Sequence, residues 1–532
     1  MRVILLVFVL FIQCMTTRLC AQTSASISVN TSAIYATIDS TMVGFSFNPT
    51  YIGMNFSNSY NGANSRSITS GLFNNFFPFQ RPAIRINGTN NSYWQTTSGA
   101  FQSAPASYNV NSSVYTCAYC PVGAPSLSTS ISATDLSNVQ SFIGSLSYKP
   151  NILWGVNLSV IDTARTGSFC TNVQSGFSTI ANLQFELGNE PDLYAGNGIR
   201  TTGYSMSSYI SDFNFVADRV KRYGAIATPA LAKSNPTSSS GWTDSLNSLI
   251  SSIASNNVAT VTLHDYPLGS SSVGTLTGFL NKYLSDNYTG DEVGNVSTGL
   301  LPSIQTANQY DLNFRLAESN TISGGGVQGA SDVMGSALWA IDMMFELAKA
   351  KAAGINFSID GGSSTYYSPF TFNSTQVVSP AKVVVNPIYY GALFFARAAQ
   401  NKGRIISNTI SNQVNSPNIK VWAVWDYINT LRLVIINRGT SITDASSGTF
   451  NINLQDNTQP GYLYSFTGDN SPSLQSNSVT LAGQKVDLTT GSLTGSLTKT
   501  TISSSNGIYS VSVPAGTAAM FEITGVNCSC GH

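Results

Sequence analysis

The chain has 532 residues, 25 basic and 25 acidic side chains, and a charged fraction of only 9 %, against about 25 % in soluble proteins generally. Zero net charge without a basic patch excludes nucleic acid and anionic membranes as expected partners. The length is too great for one small core, so two domains are expected, with surface polarity supplied by Ser, Thr, Asn and Gln.

Residues 1–21 read as a secretory signal: Arg2, an apolar run from Val3 to Ile12 too short to span a bilayer, and a small residue, Ala21, at the cleavage point. No later segment holds about 18 continuous apolar residues, so a secreted protein without a membrane span is expected. Signal removal leaves Cys117, Cys120, Cys170, Cys528 and Cys530. These read as disulfide formers rather than metal ligands, because no second pair has metal spacing and the chain has only 2 histidines. Asn30, Asn55, Asn111, Asn287, Asn295 and Asn373 head Asn-x-Ser/Thr sequons in loop-like contexts, candidate glycan sites. The sequons at Asn87, Asn157 and Asn356 fall at the ends of strand-like runs and read as incidental.

In chain order, Ser26 to Ile38 alternates like a strand and is expected to join a C-terminal sheet. Strand-like runs then follow at 44–48, 83–87, 152–158, 183–188, 225–231, 260–266, 312–317 and 355–359, with helical patterns at 71–79, 135–148, 205–223 and 331–353. This alternation predicts a (β/α)8 TIM barrel over residues 41–385. After a helix at 389–400, short strands recur at 421–427, 431–437, 450–454, 479–481, 486–487, 508–513 and 518–523. They predict an antiparallel β-sandwich over residues 386–527, made discontinuous by residues 22–40.

Two carboxylates stand at expected strand ends. Leu183 to Leu187 runs into Gly188-Asn189-Glu190-Pro191-Asp192, and Leu312 to Ala317 runs into Glu318. The C-terminal ends of barrel strands are where reacting groups gather. Glycosidic cleavage needs one group to protonate the leaving oxygen and, in retaining enzymes, a carboxylate about 5 to 5.5 Å away to attack the anomeric carbon. Glu190 is assigned as acid/base and Glu318 as nucleophile. Asn189 is placed to bond a sugar hydroxyl beside the reacting centre. Glu186, four residues before Glu190, reads as structural. His264 ends strand six and is expected to line the site, Tyr266 to bond the nucleophile, and Arg85 to pair with a carboxylate or hold the barrel floor. Arg315, Trp339 and Met343 read as structural.

Leu187-Gly188-Asn189-Glu190-Pro191-Asp192 resembles the acid/base motif of glycoside hydrolase family 79, the β-glucuronidase and heparanase family. Arg315 to Asn320, Gly324-Gly325-Gly326, Ser331-Asp332 and Ala337 to Ala340 look like its nucleophile region. Ile84 to Thr89 and Val43 to Phe47 are similar to its second and first strands, and the likeness runs over about residues 25–525. The resemblance implies a retaining exo-β-glucuronidase, or an endo enzyme on heparan sulfate-like chains, with Tyr367 of Tyr367-Ser368-Pro369 (or its neighbour Tyr366) binding the uronic carboxylate. Asn87 stands where that family has a glycine and is counted with the substrate-binding candidates. Asn48 replaces an acid, Thr321-Ile322-Ser323 lacks a usual tyrosine, and Ser358 stands where a histidine is common. Without a Lys/Arg cluster near the placed loops, exo action is favoured. The alternatives are another β-glycosidase specificity or a non-catalytic carbohydrate-binding protein. A carbohydrate partner, a monomer, and neither metal nor cofactor are expected.

Overall fold

The computed structural model describes residues 23–526 except 89–91, 95–106, 111–112, 117–128, 160, 162, 233–241, 273, 286, 297, 364, 412–417, 427, 440, 445, 455–456 and 472. The signal segment and Cys117, Cys120, Cys528, Cys530 and Asn111 lie outside the described residues.

Eight parallel strands close into a barrel in chain order: Val43–Phe47, Ala83–Ile86, Asn151–Val156, Asn182–Leu187, Ala225–Ala232, Val258–Asp265, Asn313–Ser319 and Gly354–Ile359. Closure is made by strand eight pairing with strand one, Phe357 beside Phe45 and Ile359 beside Phe47. Strands one, two and eight are buried on both faces, which is why they read as continuous apolar runs rather than alternating ones. The barrel expected from the sequence is therefore present.

The helices differ from expectation at their ends. The one expected at 71–79 is Ser65–Asn74, because Asn64 caps its N-terminus through Ser67 N–H. Ser132 and Asp135 form a capping box that starts the next at Ala133. The last barrel-side helix, Pro387–Ala398, packs on Met334–Lys349, with the Phe345 and Phe395 rings 4.7 Å apart. After this helix the strand-rich segment begins at Arg404.

Nine strands of that segment, with Thr23–Thr37, make one ten-stranded sheet folded on itself. Within it Thr23–Thr37 pairs antiparallel with Arg404–Ser411 and parallel with Ser447–Asn453. One face closes over Ala25, Ile27, Phe450, Tyr509 and Phe521. The other lies on the barrel, where Trp422 stacks on Phe345 at 5.2 Å. Strand Thr430–Asn437 is covered on both faces and is buried throughout. Asp342, buried in the helix Met334–Lys349, pins this junction by bonding Arg438, Thr289 and, at 2.7 Å, Trp422 Nε1. Arg438 and Lys420 hold its carboxyl below the ordinary range although burial works against them.

Cys170 faces inward from the helix Thr163–Phe177, without a disulfide. Burial pushes its thiol up to about 12. Asn55, expected in a loop, is instead buried in the short helix Ile52–Phe56 and bonds Tyr51 O at 2.9 Å, so its sequon is unavailable to a glycan. Among the described residues no helix is long and apolar enough to cross a membrane.

Candidate active site

The site is built around one guanidinium. Arg85, on strand two, is fully buried and has five N–H donors, all engaged. Nε donates to Glu186 at 2.6 Å. Nη1 donates to Ser46 at 3.0 Å and to Glu318 Oε2 at 3.0 Å. Nη2 donates to Asn189 Oδ1 at 2.8 Å and faces His264 Nε2 at 3.0 Å. Strands one, two, four, six and seven are thereby joined at the mouth end of the barrel.

Glu318 lies within strand seven, one residue beyond the expected strand end. Tyr266 donates to its Oε1 at 2.8 Å, so each carboxylate oxygen has a fixed donor while the side chain stays 18 % exposed. Burial and the nearby Glu318 charge push the Tyr266 phenol well above its ordinary value, so it remains a donor.

Glu190 follows strand four in a left-handed conformation, φ 51°, unusual for a residue with a side chain. Its side chain is 25 % exposed and its Oε1 lies 2.9 Å from His264 Nδ1. Burial works against ionisation of Glu190, but the hydrogen bond from His264, with the Arg85 charge, brings its carboxyl below the ordinary range. On His264, burial and Arg85 oppose protonation while Glu318 and Glu190 favour it, with the balance above the ordinary imidazole value. The hydrogen bonding decides the other way. Arg85 only donates, so Nε2 must accept, and we assign a neutral His264 whose Nδ1–H donates to Glu190.

Every site residue expected from the sequence and described above lies in this mouth, but the roles separate. Asn87 spends its amide on Glu186 at 2.8 Å and Gly188 O at 2.9 Å, and its Oδ1 accepts from Gly88 N. It ties strand two to the turn before Glu190 and has no amide hydrogen left for substrate. Gly155 makes room for it: a Cβ there would lie 2.3 Å from Asn87 Oδ1. Asn189 Oδ1 is held by Arg85, and its amide nitrogen has no partner among the described residues. Tyr367 is buried with its ring 5.9 Å from that of Tyr266. Arg315 bonds Thr41 O, Ala353 O and Asn356 Oδ1 at the opposite end of the barrel.

Sequence reasoning left two groups unremarked. Ser46 is one; alternation along strand one, with Phe45 and Phe47 pointing outward, would have marked it as barrel-facing. Asp360 is the other, directly after strand eight. Its Oδ1 accepts from Gly361 N at 2.7 Å and its backbone is clamped by Ser368, next to Tyr367. Burial lifts its carboxyl, with Glu318 adding to the rise and backbone N–H groups opposing it. Among the described residues no cluster of His, Cys, Asp and Glu is arranged to hold a metal ion.

No protein-family model matches the chain, and no curated protein matches it in sequence. Solved structures do. A 4-O-α-L-rhamnosyl-β-D-glucuronidase from Fusarium oxysporum 12S is 17 % identical, with TM-score 0.69, covering 93 % of this chain and 100 % of that one. A family 51 α-L-arabinofuranosidase from Bifidobacterium longum is 14 % identical, with TM-score 0.60 and coverage of 94 % and 99 %. A Paenibacillus polymyxa xyloglucanase of family 44 is 11 % identical, with TM-score 0.57 and coverage of 94 % and 99 %. All three are glycoside hydrolases, and what this chain shares with them at such identities is the fold.

Proposed function

We propose that this protein is a retaining glycoside hydrolase, and more finely a secreted exo-β-glucuronidase. The observation that carries the reading is the pair Glu190 and Glu318, set at the ends of strands four and seven and linked through His264 and Arg85. Glu318 attacks the anomeric carbon while protonated Glu190 gives its proton to the glycosidic oxygen, and the aglycone leaves as an alcohol. Glu190, now a carboxylate, takes a proton from water; the water oxygen attacks the same carbon, and Glu318 departs. The unpartnered Asn189 amide is suited to a hydroxyl that bonds more strongly as charge develops.

The glucuronide specificity is supported by the family 79-like motifs, by Tyr367 beside Tyr266, and by the rhamnosyl-glucuronidase among the structures with this fold. One observation favours a second reading, a neutral glycone. Asp360 brings a carboxyl rather than a cation next to Tyr367, and every Arg85 donor is already engaged. Hydrolysis of aryl β-glucuronide against β-glucoside, β-xyloside and α-arabinofuranoside separates the two. Turnover of the glucuronide alone supports the first, and turnover of a neutral glycoside alone replaces it with the second.

Two substitutions test the proton chemistry. Glu190→Gln should cost on the order of 10²- to 10⁴-fold in kcat/KM on substrates with poor leaving groups, and far less on activated aryl glycosides. Equal losses on both would refute the acid/base role. His264→Ala removes the group that lowers the Glu190 proton affinity. The alkaline limb of kcat/KM, which reports Glu190 losing its proton in the free enzyme, should therefore move to higher pH. An unmoved limb would mean that His264 does not set it.

A further inference from the structure

We propose that Asp192 is a positioning residue for Glu190, a side-chain rung that clamps the acid-bearing turn to the end of strand five. The inference rests on the acid/base reading of Glu190.

The ladder between strands four and five is short: Ala225, Ile226 and Ala227 pair with Gln184, Phe185 and Glu186, and regular pairing stops there. Beyond it, strand five is irregular. Its register on strand six shifts between Pro229 and Leu231, and Ala230 is itself left-handed at φ 52°. Ala230 N–H turns away to Thr262 Oγ1 at 3.1 Å. The turn that carries Glu190 therefore has no continuous sheet to lie on, while its φ of 51° is one that a residue with a side chain adopts at a cost. Two contacts replace the missing rungs. Glu190 N–H donates to Ala230 O at 2.8 Å. Ala232 N–H donates to Asp192 Oδ1 at 3.1 Å. The first fixes only the backbone at Glu190; the second fixes the far side of the turn, so that the 3-10 segment Pro191–Leu193 cannot swing outward and carry Glu190 with it.

The other oxygen of Asp192 is unusual. Oδ2 is buried and has no hydrogen-bond partner among the described residues. A clamp alone would need one acceptor, which an asparagine supplies as well. The carboxylate form leaves a bare buried oxygen, which is costly. Burial accordingly lifts this carboxyl to about 7, with Glu190 adding to the rise and Ala232 N–H opposing it. The titratable groups facing it are Glu190 and His264 on the mouth side and Tyr194 and Tyr209 behind.

The test compares Asp192→Ala and Asp192→Asn with the parent and with Glu190→Gln. Each is assayed on aryl glycosides bearing poor and activated leaving groups, across pH. Asp192→Ala is expected to lose about tenfold in kcat/KM on the poor leaving group and less than about twofold on the activated one. Asp192→Asn, which keeps the acceptor for Ala232, should recover most of that loss. Equal losses on both substrates for Asp192→Ala, or an Asn variant no better than Ala, would each overturn the proposal. Equal losses for Glu190→Gln would instead bring down the acid/base reading itself, so the two failures are told apart.

Discussion

Replacing Glu318 by Gln is expected to reduce kcat on every hydrolysed glycoside by on the order of 10⁴-fold or more, as removal of an attacking group does elsewhere, while leaving the fold intact. The geometry explains why the fold survives. Glu318 Oε2 accepts from Arg85 Nη1 and Oε1 from the Tyr266 hydroxyl. A glutamine of the same shape can turn its carbonyl toward Arg85 and its amide toward Tyr266, whose hydroxyl both donates and accepts. The contacts persist, but the amide oxygen is a poor nucleophile, and no glycosyl–enzyme ester can form. The check is single-turnover kinetics together with the mass of the Glu318-containing peptide after exposure to a fluoro-glycoside that stalls at the ester. A residual rate within tenfold of the parent, or label on another carboxylate, would remove Glu318 from the nucleophile role.

Arg85→Met should be the most destabilising single change in the site, costing about 3–5 kcal/mol in denaturant unfolding. The side chain is 0 % exposed and so is that of its partner Glu186. Met fills much of the volume but donates to none of the five acceptors. Glu186 would keep only the Asn87 amide on Oε2, and its Oε1 already has no hydrogen-bond partner among the described residues. An uncompensated buried carboxylate is what makes breaking such a pair costly, more than the lost attraction itself. Activity should fall as well, since Glu318, His264 and Asn189 each lose a positioning contact. The double variant Arg85→Met, Glu186→Gln should regain a substantial part of the stability without regaining turnover. A single variant as stable as the parent would mean that the mouth of the barrel is not held through Arg85.

Much of this arrangement was legible in the sequence, for physical reasons. Strands one, two and eight are buried on both faces and announce themselves as short apolar runs, and a carboxylate that ends a strand-like run stands out in a chain with so few charges. Elements that went unrecognised lack that contrast. Gly461–Gly468 is a strand that begins with glycine because a Cβ at Gly461 would lie 2.3 Å from the Phe521 ring. A glycine filled from across the sheet looks, in sequence, like a turn. Arg404–Ser411 is half polar because its outer end faces solvent. The helix Thr163–Phe177 is rich in Ser, Thr and Gly, and its buried apolar side chains are Phe169, Cys170, Val173 and Phe177. At the site, residue types were readable but partners were not. Glu186 could be set aside as structural, yet its partner Arg85 lies 101 residues away. Asn87 reads as a polar residue near the mouth, and only the fold reveals that its amide is spent on Glu186 and Gly188.

The strand Thr23–Thr37 lies between Arg404–Ser411 and Ser447–Asn453 in the folded sheet. Its place has a consequence for heredity. Modular enzymes often trade accessory domains through a single genetic crossover in the linker. Here such an exchange downstream of the barrel would leave residues 23–37 behind as an orphan edge, and would present the incoming module with a gap where that strand belongs. The two modules must therefore descend together, each constraining which substitutions the other can accept.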